Sequence, residues 1–142
     1  MKISSRSRYA LLTVLDLTIQ RSAGVSKVHD IARRQQIPQK FLEQILLVLK
    51  SGGLVASKRG AKGGYLLKKE PETITVADVL ALTEDAVMAT DEDNTEGANG
   101  IFAEVWTELN EHVSAKLSEL DFQELHARAE KAQESQLWQY TI

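Results

Sequence analysis

The stretch from Lys58 to Gly64 constrains this chain more than any other, because it packs three glycines and two lysines between two short apolar runs. Gly60, Gly63 and Gly64 oppose a helix and favour a tight reversal, since glycine enters the left-handed backbone region without strain. The flanking runs, Leu54 to Ser57 and Tyr65 to Lys68, read as the two strands of a hairpin. A lone hairpin is marginal in water, so this one must rest on other elements. What precedes it reads as three helices. Ser5 to Gln20 sets Leu11, Val14, Leu15 and Ile19 at spacings of three and four, the stripe of an amphipathic helix. Ser22 to Gly24 breaks it, and Ser26 is placed to cap a second helix with Val28, Ile31 and Ala32 inward. Gln36, Ile37 and Pro38 form a turn, with Pro38 suited to the first position of a third helix. That helix runs to about Ser51 with Phe41, Leu42, Ile45, Leu46 and Leu49 inward, and Gly52 and Gly53 stop it. Three helices followed by a hairpin is the order of a winged helix-turn-helix.

Beyond Glu70 and Pro71 the pattern changes. Thr75 to Asp78 has the form of a capping box and opens a short helix through Leu82. Residues 84–100 lose periodicity and gather Asp85, Asp91, Glu92, Asp93 and Glu96, which reads as an acidic loop. From Ile101 a long helix carries Phe102, Val105, Trp106, Leu109, Val113, Leu117 and Leu120 on one stripe. Asp121 to Glu124 caps a last helix to about Gln133, and residues 136–142 read as an aromatic tail. The expected fold class is therefore mostly α with a small β-hairpin wing. Residues 1–70 form the winged helix-turn-helix, 71–100 the short helix and acidic loop, and 101–142 the long helix, last helix and tail.

The net charge of −3 conceals a strong asymmetry. Residues 1–70 hold 14 Lys and Arg against four acids, a net +10, and the remainder holds three against 16, a net −13. A basic half attracts a polyanion and an acidic half repels one. The plainer alternative is two solvated surfaces with no partner. The chain has no cysteine, which removes disulfides, thiolate metal sites and cysteine nucleophiles together. It has no phosphate-cradling P-loop and no histidine–carboxylate motif, so an enzyme is disfavoured. No apolar run approaches the roughly 18 residues of a membrane span, and the start, Met1 to Arg8, is no signal peptide. A cytoplasmic protein without a membrane partner is expected.

Base reading requires a helix with one face anchored and its exposed first turns free to reach the major groove. The third helix qualifies, with Gln39, Lys40, Glu43 and Gln44 free to face outward. Glutamine pairs with adenine, lysine with guanine acceptors, and glutamate accepts from the cytosine amino group. By themselves these four read as the solvated face of a buried helix. The hairpin tip adds Arg59, flanked by Lys58 and Lys62, with the reach to enter a minor groove. Its glycines permit a close backbone approach to phosphates. Lys2, Ser5, Arg6 and Arg8 at the start of the first helix are placed to clamp the DNA backbone.

Several of these stretches together resemble the Rrf-two family of bacterial regulators. They are Lys2 to Ala10, Ile31 to Arg33, Phe41 to Ile45, Gly53 to Val55 and, most specifically, Arg59 to Tyr65. The resemblance covers residues 1 to about 83 and returns at Trp106 to Leu109. It implies a homodimer whose long C-terminal helices cross and whose two winged modules bind a palindromic operator in double-stranded DNA. It puts base reading on Gln39, Lys40, Glu43 and Arg59, and backbone contact on Lys2, Ser5, Arg8, Gln44, Lys58, Lys62, Gly63 and Tyr65. The stripe Phe102, Val105, Trp106, Leu109, Val113, Leu117 and Leu120 becomes the dimer interface. Phe41 stands where tyrosine is frequent, which implies a lost phosphate contact or a different half-site preference. Many members hold an iron–sulfur cluster on three cysteines. The corresponding positions fall near Met88, Asn94 and Gly100, none of which supplies a thiolate, so no cluster, cofactor or metal is expected.

The sequence thus points to a sequence-specific DNA-binding transcription regulator, a repressor that occludes a promoter. The rival is a protein-interaction adapter that keeps the winged fold and is regulated by a partner protein. Control is open between three readings. The acidic loop is a solvated linker with regulation by a partner protein or by abundance; or a small ligand binds against Trp106; or Asp91, Glu92, Asp93, Glu96 and His112 hold a hard divalent cation.

Overall fold

The computed structural model describes residues 2–85 and 96–141, with side chains through Ser135. In chain order they form α1 (Ser5–Ile19), α2 (Val28–Gln35), α3 (Gln39–Ser51), β1 (Val55–Lys58), β2 (Gly64–Leu67), α4 (Val76–Thr83), α5 (Ala98–Glu119) and α6 (Phe122–Thr141). Single turns of 3₁₀ helix at Arg21–Ala23 and Pro71–Thr73 link them. The mostly helical architecture with one two-stranded wing is the fold class the sequence predicts.

α1 is the centre of the molecule, packed by α2, α3, α4, α6 and β2. The Ser4 side chain starts it by accepting from the Ser7 amide at 3.1 Å. Because neighbours approach from several sides, its fully buried positions are Ser7, Ala10, Thr13, Val14, Asp16, Leu17 and Thr18. This corrects the expected stripe. Leu11, Leu15 and Ile19 are only half-buried, and small or hydroxylated residues occupy the tight places. Thr13 and Thr18 satisfy their buried hydroxyls by donating to the carbonyls of Tyr9 (2.7 Å) and Val14 (2.8 Å).

α2 opens at Lys27 without a capping side chain. Ser26, expected as that cap, instead lies extended and pairs with Tyr65, each amide donating to the other's carbonyl at 2.8 Å. The turn into α3 puts Gln36 in the left-handed region at φ 53°. Pro38 takes the N-cap place, one residue ahead of the expected position. Leu42, Ile45, Leu46 and Leu49 bury a full stripe at spacings of three and four. Phe41, expected inward, is 58% exposed. A helix turns about 100° per residue, so position 41 falls beside the stripe that 42, 45, 46 and 49 already fill.

The hairpin pairs Val55 with Leu67, Ala56 with Leu66, Ser57 with Tyr65 and Lys58 with Gly64. Thr75 and Asp78 form the expected capping box, at 3.1 Å and 2.9 Å, and α4 follows. α5 begins at Ala98, so Gly100 lies in a helix and not in the expected loop. Asp91, Glu92 and Asp93 lie outside the described residues. α6 continues to Thr141, where a tail was expected. No glycine or proline interrupts residues 122–142, so nothing local stops the helix.

The α5–α6 junction returns to the body of the protein. The Val76 amide donates to Leu120 at 2.8 Å and the Phe122 amide to Ile74 at 3.0 Å. Phe122, 1% exposed, enters the same core as Val14, Leu46, Val55 and Ile74. The winged module and the root of α6 therefore share one hydrophobic core.

Candidate nucleic-acid interface

Each part of the expected interface rests on a buried anchor. In α3 the stripe from Leu42 to Leu49 leaves Gln39, Lys40, Glu43 and Gln44 exposed on the first two turns. Gln39 Nε2 donates to Glu43 Oε1 at 3.3 Å, one turn on, so these two side chains are partly ordered with respect to each other. Lys40 and Gln44 face solvent.

In the wing, Gly60 takes φ 108° and accepts the Gly63 amide at 2.9 Å. A Cβ on Gly63 would strike the Lys58 carbonyl oxygen, so this position admits only glycine at the tip. Gly63 is itself buried under the turn and Tyr65 is half-buried against the core. Both shape the tip more than they present themselves to a ligand. Lys58, Arg59 and Lys62 are exposed, and none joins an ion pair among the described residues. The Ser26–Tyr65 pairing fastens the wing to the segment that leads into α2, and β1 packs on α3, so the wing is anchored to the helix-turn-helix.

A charge pair between the buried Asp16 carboxylate and the partly exposed Arg34, missed by the sequence reading, holds α1 to α2. Asp16 is 1% exposed. Arg34 reaches it with two bonds, Nε to Oδ1 at 3.0 Å and Nη2 to Oδ2 at 2.8 Å, and Gln35 Nε2 adds a third at 3.0 Å. The same Arg34 nitrogen donates to Ser26 Oγ at 3.2 Å. The bond to Asp16 raises the Arg34 pKa, against the opposing effect of burial, with Coulomb help from Asp16 and Asp30. Arg34 is thus committed to structure. The available signal was Asp16 itself, an acid set directly between Leu15 and Leu17.

At the other end of α1, Lys2, Ser5, Arg6 and Arg8 are exposed, and the Arg8 guanidinium stacks 5.1 Å from the Tyr9 ring centre. Here α4 contributes an anion of its own. The Ser4 amide donates to Glu84 Oε1 at 2.8 Å, and the Ser7 and Thr83 hydroxyls bond at 2.6 Å. Hydrogen bonding from the Ser4 side chain, then from the Ser7 side chain and the Ser4 amide, holds the Glu84 carboxyl below its ordinary pKa. The amide of the α1 N-cap residue is therefore already taken by a carboxylate.

On α5, Phe102, Val105, Trp106 and Leu109 are exposed, and the Phe102 and Trp106 rings stack at 6.4 Å and 26°. Val113, Leu117 and Leu120 are half-buried, toward the end that packs against α4. An open cavity of about 730 Å³ at the start of α5 is lined by Gly97, Gly100, Ile101, Glu104 and Thr107 among others, and Trp106 is not in its wall. Among the described residues no three His, Asp or Glu side chains gather as a metal site. The donor set does not fit a thiolate-held cluster, because the chain has no cysteine and Gly100 offers no side chain; Met88 and Asn94 lie outside the described residues. No helix among the described residues is long and apolar enough to cross a membrane.

The sequence pattern of a family described as Rrf2, iron-dependent transcriptional regulator, matches residues 3–128. The HTH-type transcriptional regulator IscR of Photorhabdus laumondii is 35% identical over 129 residues, which span 88% of this chain and 79% of that protein. Among solved structures, IscR of T. potens superposes with a TM-score of 0.80 at 30% identity, covering 94% of this chain and 91% of the other. CymR, the global cysteine regulator of B. subtilis, gives a TM-score of 0.78 at 28% identity, covering 90% and 98%.

Proposed function

Because the chain belongs to the Rrf2 family, and is a DNA-binding transcription regulator and not an enzyme, we propose that it works as a homodimeric repressor on a palindromic operator. One observation carries this reading. The exposed polar first turns of α3 and the basic wing, its three cations outside the described ion pairs, belong to one packed module, in which β1 lies against α3 and Tyr65 pairs with Ser26 ahead of α2. Two rigidly spaced elements suit the reading of a major groove and the minor groove beside it.

In this reading residues 1–70 carry the DNA contacts. Gln39, Lys40 and Glu43 address base edges in the major groove, and Arg59 enters the minor groove where negative potential concentrates. Lys2, Ser5, Arg8, Gln44, Lys58 and Lys62 contact phosphates, while Gly63 and Tyr65 set the shape of the tip against the backbone. Residues 101–142 carry the dimer contacts, with Phe102, Val105, Trp106 and Leu109 at the centre and Val113, Leu117 and Leu120 toward each protomer's own body. Repression follows from occlusion of the promoter. The control signal reaches this protein by a route other than a cysteine-held cluster: a partner protein, a small ligand, or its own abundance.

Selection from a random DNA pool with the purified protein tests the reading. An enriched palindrome with two half-sites is expected. Enrichment of one unrepeated half-site would remove the dimeric mode. No enrichment by folded protein would remove specific binding by the unassisted chain and favour an adapter role.

A further inference from the structure

Phe41 is the one aromatic side chain on the first two turns of α3, and it is 58% exposed among Gln39, Lys40, Glu43 and Gln44. By helical periodicity it shares a flank with Gln44, away from the flank of Gln39 and Glu43. No ring stacks on it and no cation covers it among the described residues. Its neighbour Leu42 is fully buried, so the backbone at this point is held firmly by the core. A phenyl ring has no donor or acceptor and cannot hydrogen-bond a phosphate or a base edge. In the major groove the apolar group on offer at a base edge is the thymine 5-methyl.

We propose that Phe41 reads a thymine by packing on its 5-methyl group, which adds an apolar specificity contact to the polar ones of Gln39, Lys40 and Glu43. The inference rests on α3 being the base-reading helix. The methyl supplies shape and dispersion contact, and cytosine, which lacks it, leaves the ring against water and a polar amino edge. Leu47, two turns from the helix start and 60% exposed, lies about 9 Å farther along the axis than Phe41, away from the turns that enter a groove, and serves as a control.

Deoxyuridine differs from thymidine by this methyl alone, so replacing thymines one at a time in the selected operator tests the assignment. At one thymine per half-site the substitution is expected to weaken the wild-type protein about fourfold, and about 15-fold when made in both half-sites, the worth of one buried methyl each. Phe41→Ala binds the thymine and uracil operators equally, while Leu47→Ala keeps the wild-type ratio. Phe41→Gln, equally compatible with an exposed helix position, gives a second reading should the alanine variant melt early. An operator bound specifically but with no methyl dependence at any position would overturn the assignment and leave α3 as the reading helix. The same dependence in wild type, Phe41→Ala and Phe41→Gln would also overturn it, since another side chain would then be the reader. Equal binding of operator and random DNA would remove the base-reading role of α3 itself, and this inference with it.

Discussion

Arg34 turns its guanidinium into the protein and Arg59 keeps its own in solvent. A buried carboxylate whose partner is removed keeps its desolvation penalty and loses its compensation. Arg34→Met is therefore expected to lower stability by about 3 kcal/mol in urea unfolding. An unchanged midpoint would show that Asp16 finds another partner. Arg59→Ala removes nothing internal, so its melting temperature should stay at the wild-type value. Its operator affinity should fall by about 1–3 kcal/mol, roughly five- to 150-fold. A loss equal on operator and random DNA would reduce Arg59 to a phosphate contact. The two arginines were indistinguishable by charge in the sequence, because separating them needs the position of Asp16 across two helices. Phe41 was misplaced for a related reason. Hydrophobicity suggests burial, but a stripe holds a limited set of positions, and leucine and isoleucine had filled this one.

Locally determined elements were legible and those fixed by distant partners were not. The Thr75–Asp78 capping box is complete within four residues, and so was visible. The role of Ser26 depends on Tyr65, 39 positions away, and a capping assignment was the local reading of a residue whose backbone belongs to the wing. The central place of α1 hid its buried face, since an element packed on several sides no longer shows one apolar stripe. The α2–α3 turn was recognised, but its strain at Gln36 was not. A side chain at φ 53° costs about 1 kcal/mol relative to glycine, beyond what glycine loses in chain entropy. Gln36→Gly is thus expected to raise stability by up to about 1 kcal/mol in the same urea assay, and a destabilised variant would mean that the glutamine side chain has a compensating role. The link from α4 to α1 carries a pH dependence. Bonds from Ser4 and Ser7 favour ionised Glu84, so its tether is complete above the ordinary value of 4.5 and is lost only as pH falls through the depressed folded value. In an NMR titration the Ser4 amide should shift with a midpoint below 4.5, and a midpoint at or above that value would show the bond absent in solution.

At the scale of the molecule, the net +10 of residues 1–70 and the −13 of the rest make the chain an electrical dipole as well as a chemical one. In the proposed complex the basic winged module would face the DNA phosphates. Phe102, Val105, Trp106 and Leu109 lie outside that basic module, with 40–57% of each exposed in the single chain. A row of four large apolar side chains over two helical turns, two of them stacked aromatic rings, is what an interface between copies requires. A second copy related by a two-fold axis would cover the stripe with itself, since an isologous contact needs no other complementary surface. Trp106→Asp tests this without disturbing the core, because among the described residues Trp106 belongs neither to the buried core nor to the side chains packed on it. The variant is expected to melt at the temperature of the wild-type protomer and to scatter light as a monomer at micromolar concentration. Its affinity for the full palindrome should fall at least about a hundredfold, because each half-site must then be won without the second module held nearby. Affinity for an isolated half-site should not change. A variant that stays dimeric with full operator affinity would move the interface off α5, and would leave the exposed aromatic pair there to be explained by a different partner.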